Sequence, residues 1–179
     1  MRDTSRLDVL IALQQRVAPR NLLEVMHGSY TWTAGFEWRE GAKESAILQT
    51  QAELGLTIPC DYREFLRQCD GATLYKDPEF GQWGFVLYGT HELLTQNAMW
   101  RRSFQDQWSD TLLAFSENKG ESSVLVFDTS RPSVGGQSCV ILQATPYEPS
   151  EHWRTVSRSF SEWLSHLVTA QGDKYWEWL

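Results

Sequence analysis

Residues 52–72 read AELGLTIPCDYREFLRQCDGA and describe two helices meeting at a corner. The first follows Ala42, Ala46, Ile47, Thr50 and Leu54 at helical spacing and stops at Gly55, a natural C-terminal residue. Pro59 fixes φ and cannot continue a preceding helix, and Asp61 can cap the next helix or lie in its first turn. Tyr62, Phe65, Leu66 and Cys69 then fall at i, i+3, i+4 and i+7, the apolar face of a second helix. Gly71 ends it and can take the positive φ that turns the chain back toward a strand. Such residues build a corner, not a reaction site. Gly71→Val is therefore expected to destabilise the fold.

Upstream, Leu7, Leu10, Ile11 and Val17 share one face of a helix, with Thr4 or Ser5 available as its cap and Pro19 beyond its end. Residues 20–39 carry Gly28, Gly35 and alternating aromatics, which suggests an extended or hairpin-like excursion. Downstream, ATLYKDPEFGQ (72–82) reads as a loop because of Pro78 and Gly81, and WGFVLYG (83–89) reads as a strand. Residues 90–108 return to helical spacing through Leu93, Leu94 and Asn97, with Trp100 or Met99. Three further strands, LLAFSE, SSVLVFDT and QSCVILQ, fit an antiparallel meander. Phe160, Trp163, Leu164, Leu167 and Val168 mark a last helix, started by Ser157 or Ser159 and ended by Gly172. The order predicts a single α+β domain over residues 1–179, a largely antiparallel sheet covered by helices. Its core is expected at 42–168, flanked by the N-terminal helix and excursion (1–41) and an aromatic tail (169–179).

A chain of 179 residues, 41% hydrophobic and 22% charged, can bury a core without metals or disulfides. Its net charge of -7 argues against direct binding to nucleic acid or an anionic membrane, and suits a basic protein partner. Cys60, Cys69 and Cys139 cannot all pair within one chain and lack metal-ligand spacing, which suggests a reducing, cytoplasmic setting. No apolar run is long enough to span a membrane, and the N-terminus has no signal-peptide pattern.

The 52–72 segment resembles the signature of the SUKH superfamily, whose members include a fungal cell-wall synthesis regulator and many bacterial immunity proteins. In that pattern Glu, Leu and Gly end a helix, a Leu-x-Pro turn follows, and a polar residue plus Tyr opens a helix ending in Asn-Gly. Glu53, Leu54 and Gly55, then Pro59, Asp61, Tyr62, Phe65 and Leu66 occupy those places, with Asp70 and Gly71 where Asn-Gly is usual. WGFVLYG, LLAFSENKGE, VFDT with Asp128, and SFSEWL follow in the family's order. The resemblance covers about residues 42–168. It implies a non-enzymatic protein that binds and neutralises a cognate toxin domain, such as a basic nuclease. The alternative it leaves is a regulatory or scaffold module that binds some other protein.

Chemical motifs give no competing reading. His27, His91, His152 and His166 are scattered without the spacing that puts two on one helical face, so no metal site is expected. No GxSxG elbow, GxGxxG or P-loop occurs, and Gly135 with Gly136 reads as a turn between strands. No catalytic residue and no cofactor is expected. The candidate partner-binding set is Tyr75, Asp77, Glu79, Phe80, Glu117, Glu121, Tyr147, Glu148, Glu151 and Trp153, aromatic anchors among loop carboxylates. Trp83 stands with them. Periodicity leaves open whether KYWEWL packs on the domain or forms a sticky surface, and whether the chain is a monomer or a homodimer.

Overall fold

The computed structural model describes residues 7–27, 29–136 and 138–178. Along the chain lie α1 (Asp8–Val17), β1 (Leu22–His27), β2 (Tyr30–Trp38), α2 (Glu44–Leu54), α3 (Cys60–Gln68), β3 (Ala72–Lys76) and β4 (Phe85–Leu87). There follow α4 (Thr90–Phe104), β5 (Leu112–Asn118), β6 (Val124–Pro132), β7 (Cys139–Ala144), β8 (Arg154–Ser157) and α5 (Phe160–Thr169). The eight strands form one sheet in chain order, every neighbouring pair antiparallel. This is the α+β architecture the sequence predicts.

A meander in chain order sends its connections alternately to the two ends of the sheet. The β1–β2, β3–β4, β5–β6 and β7–β8 connections share one end, the turn end. The segments carrying α2, α3 and α4 leave from the other. Five consecutive residues of β5, Leu112–Ser116, are buried, and because successive side chains alternate faces, both faces are covered there. Tyr62 of α3 is the hub of one side: its ring packs against Phe65, Phe115, Phe127 and Phe160 at 4.9–5.5 Å. Leu7, Leu10, Leu13 and Val17 bury one face of α1, at about 1.5–3 kcal/mol for each large side chain.

Several sequence expectations are corrected. Ala72–Lys76, read as loop, is β3, paired with both β2 and β4; its first four residues are all buried, so alternation is hidden and Pro78 and Gly81 dominate the reading. The hairpin-like reading of residues 20–39 holds in the antiparallel pair β1 and β2, but the pair is no excursion, because β2 also pairs with β3 in the same sheet. Strand β8 was not expected; it has only four residues. In α1, Leu13 is buried and Ile11 exposed, and the proposed caps Thr4 and Ser5 lie outside the described residues. Helix α4 ends at Phe104, followed by a short 3-10 turn.

Candidate protein-interaction surface

The corner segment supplies the joints of the fold. Gly55 ends α2 at φ 67°. Pro59 precedes the first turn of α3, and Asp61 lies within it. One Asp61 oxygen accepts from the Tyr62 N–H (3.1 Å), while the other accepts from the backbone N–H (3.1 Å) and hydroxyl (3.3 Å) of Ser161 in α5. Asp61 therefore caps a helix 100 residues away. Burial pushes its carboxyl above the usual value, against the hydrogen bonds from Ser138, Ser161 and Phe160. Asp70 does the same for α4, accepting from the Thr90 N–H (2.6 Å) and hydroxyl (2.9 Å). Gly71 sits at φ 96°, and a Cβ there would collide with the Arg39 guanidinium, which pairs with Glu92. The Tyr62 hydroxyl donates to the carbonyls of Tyr88 (2.6 Å) and Phe115 (3.2 Å), closing the β5 bulge. Asp128 accepts from the N–H (3.1 Å) and hydroxyl (2.5 Å) of Ser130. Glu53 is exposed and accepts from Gln49, one helical turn back.

All ten candidate partner-binding residues lie in β3, β5, the β3–β4, β5–β6 and β7–β8 connections, at or near the turn end, but three are interior. Tyr75 is buried against Phe36 (4.9 Å), its hydroxyl pushed up to about 12 by burial. Asp77 is buried and caps its own turn, accepting from Glu79 (2.9 Å) and Phe80 (3.2 Å) backbone N–H groups. Trp153 packs edge-on against Phe104 (5.3 Å) and donates to the carbonyls of Thr145 (3.3 Å) and Glu148 (3.2 Å), which moulds the β7–β8 loop. These three shape the surface and do not present themselves on it. Glu117 is half-buried and accepts from the Tyr88 hydroxyl (2.8 Å), and Glu121 pairs with Lys174. Glu79, Phe80, Tyr147, Glu148 and Glu151 are exposed.

Every exposed Phe, Tyr or Trp among the described residues belongs to this end or borders it: Tyr30 (77%), Phe80 (69%), Trp83 (44%), Tyr147 (83%) and Trp178 (66%). Tyr30 and Trp178 were missed as candidates. The i, i+2 spacing of Tyr30 and Trp32 in β2 already puts both on one side of the strand. Most of the C-terminal tail packs on the domain. Trp176 is buried and donates to Gln143 (2.9 Å), its carbonyl accepting from Arg154 (2.5 Å), and Gln171 accepts from the Met26 N–H (2.8 Å). Gly172, at φ 90°, crosses directly over the Tyr75 ring, where a Cβ would not fit. Two residues beyond Trp176, Trp178 stays on the surface.

Comparison with known proteins assigns the chain. The model of the SMI1/KNR4 family (SUKH-1) matches residues 41–166. The protein belongs to the SMI1/KNR4 family. It is similar also to the uncharacterized protein YnaB of Bacillus subtilis (strain 168), 25% identical over 144 residues, 80% of this chain and 88% of that protein. SMI1/KNR4 domains are protein-interaction modules. The family match runs from just before α2 into α5, so α1, the β1–β2 hairpin and the tail flank it. Tyr30, Trp32 and Trp178 therefore reach the turn end from outside the matched segment, whereas Phe80, Trp83 and Tyr147 lie within it. Among the described residues, no three His, Cys, Asp or Glu side chains converge to hold a metal ion, and no helix is long and apolar enough to cross a membrane.

Proposed function

We propose that this protein binds a protein partner through the turn end of its sheet, and that it is a cytoplasmic immunity protein that neutralises a cognate bacterial toxin domain with a basic surface, such as a nuclease. The observation that carries the binding surface is the gathering of exposed rings at the turn end among the carboxylates of Glu79, Glu148 and Glu151. Rings of this kind are the anchors of protein interfaces, and the surrounding charges set specificity and association rate. The toxin class rests on the family resemblance together with the net charge of -7: carboxylates placed where a nuclease binds phosphates steer association and compete with its substrate. Function here is occlusion, with no bond made or broken by this chain.

The test is co-expression with the toxin domain encoded beside the gene. Growth should be rescued, and the purified pair should form a complex that weakens as salt rises. No rescue and no complex at low salt contradicts the toxin reading. A salt-stable complex with an unrelated cellular protein would instead identify a regulatory or scaffold module.

A further inference from the structure

The sheet ends in two edge strands, β1 and β8. At β8 the tail is bound to the strand: the Tyr175 hydroxyl donates to the Val156 carbonyl (3.3 Å), and Arg154 donates to the Trp176 carbonyl. At β1 two contacts fix which backbone groups face outward. The Asn21 carbonyl accepts from the Phe36 N–H (2.9 Å), and the Met26 N–H donates to the Gln171 side chain of the tail (2.8 Å) instead of to β2. Antiparallel pairing alternates, so Leu23 and Val25 bond to Ala34 and Trp32, while Leu22, Glu24 and Met26 direct their N–H and C=O groups away from the sheet. Among the described residues, the Met26 N–H is the one outward group of these three that meets a partner. We propose that this open edge takes up an extended segment of the protein partner as a further antiparallel strand, with an arginine or lysine opposite Glu24 and an apolar residue two places to either side.

The added strand rests on the reading of a protein partner and lengthens its footprint, since β1 runs to the turn end and Tyr30 stands exposed there in its hairpin. β1 lacks the usual guards of an edge: it has six residues without Pro, Gly, Lys or Arg, in unbroken register with β2. Leu23 and Val25 pack on the core, whereas Leu22, Glu24 and Met26 share the opposite side and are exposed. In strand addition the main-chain hydrogen bonds supply affinity and alternate side chains supply specificity. Here apolar side chains would cover Leu22 and Met26, and a cation would meet Glu24, which has no ion-pair partner among the described residues. The same Glu24 selects against a second copy of this chain. The register that sets Leu22 opposite Met26 in two β1 strands sets Glu24 opposite Glu24, a like-charge pair between chains that each carry a net charge of -7. Because β1 is already held in the sheet by β2, only the incoming segment has to be ordered.

The probe is the peptide Thr-Leu-Thr-Arg-Thr-Leu-Thr, titrated into the intact protein and read by its backbone amide resonances and their hydrogen exchange. In the free protein the Leu23 and Val25 N–H groups should exchange slowly and that of Glu24 fast; with peptide the Glu24 N–H should shift and become protected. Methylating the peptide's arginine nitrogen, which would donate to the Glu24 carbonyl, should abolish binding. Methylating the nitrogen of a threonine next to it, which points away from β1, should not. Glutamate in place of the peptide's arginine should weaken binding about fivefold, and Glu24→Lys should reverse that preference. Glu24→Pro removes an N–H that β2 does not use, so it should keep the fold and block addition; Glu24→Lys leaves the backbone intact and serves if the proline variant fails to fold. The proposal is overturned if the Glu24 N–H is already protected in the free protein, if the peptide leaves it unmoved, or if the arginine-methylated peptide binds as well as the parent. A dimer that covers this edge and that Glu24→Pro dissociates would overturn it too. Peptide addition at β1 without any toxin complex would sink the toxin reading alone. A toxin complex indifferent to Glu24→Pro and Glu24→Lys but lost in a turn-end variant would sink the added strand alone.

Discussion

The corner at residues 52–72 and the turn end of the sheet use the same kinds of side chain in opposite ways. Tyr62 and Tyr147 are both tyrosines, but the hydroxyl of one closes a bulge between buried strands while the ring of the other is 83% exposed. Asp61 and Asp70 each hold the first turn of a distant helix, whereas Glu148 and Glu151 stand on a loop in solvent. Trp176 is folded into the core and Trp178 is left outside it. What separates folding residues from candidate binding residues is whether the fold already supplies their partner. The corner should therefore be costly to alter for stability and silent for recognition, and the turn end the reverse.

The largest effect is expected at Tyr62. Tyr62→Ala should cost about 3–5 kcal/mol in urea unfolding, the usual loss for a buried aromatic, and Tyr62→Phe about 1–2 kcal/mol from the hydroxyl. Gly71→Val should cost about 1–3 kcal/mol through its positive φ and the displaced Arg39; wild-type melting would break the structural reading of the corner.

The two carboxylates that cap α5 should respond oppositely to pH. The raised value of Asp61 means that the folded chain holds this proton more tightly, so its contribution is full below the ordinary aspartate value and is lost as pH rises through the raised one. The Arg158 N–H and the Ser157 hydroxyl hold Glu162 below the usual glutamate range, so its contribution is present above that range and lost as pH falls through the lowered value. Unfolding between about pH 3 and about pH 7 should show the stability of wild type relative to Asp61→Asn falling with rising pH, and relative to Glu162→Gln falling with falling pH. Parallel curves would contradict these caps. The smallest stability change, within about 0.5 kcal/mol, is expected for Glu148→Gln with Glu151→Gln, which should nonetheless slow association with a basic partner.

The corner was legible because its information is local: Gly55, Pro59, Gly71 and the i, i+3, i+4, i+7 face each act within a turn or two. The partners of Asp61 and Asp70 were not, since they sit 100 and 20 residues away and no periodicity links them. Strand β3 was hidden by burial on both faces and β8 by its brevity. At the turn end, the sequence singled out loop aromatics but could not tell one that turns inward, as Trp153 does, from one that turns outward, as Tyr147 does. Nor could it bring Tyr30 to Trp178, near opposite ends of the chain.

The most direct measurement is a calorimetric titration of the toxin domain into two variants of equal charge change. Glu79→Gln, Phe80→Ala, Tyr147→Ala and Glu148→Gln together alter the turn end, while Glu53→Gln with Glu64→Gln alters two exposed carboxylates on α2 and α3. The turn-end variant should keep its melting temperature and lose most of its affinity, and the helix variant should bind as wild type does. Equal affinity in the two would contradict the assignment of the turn end as the binding surface.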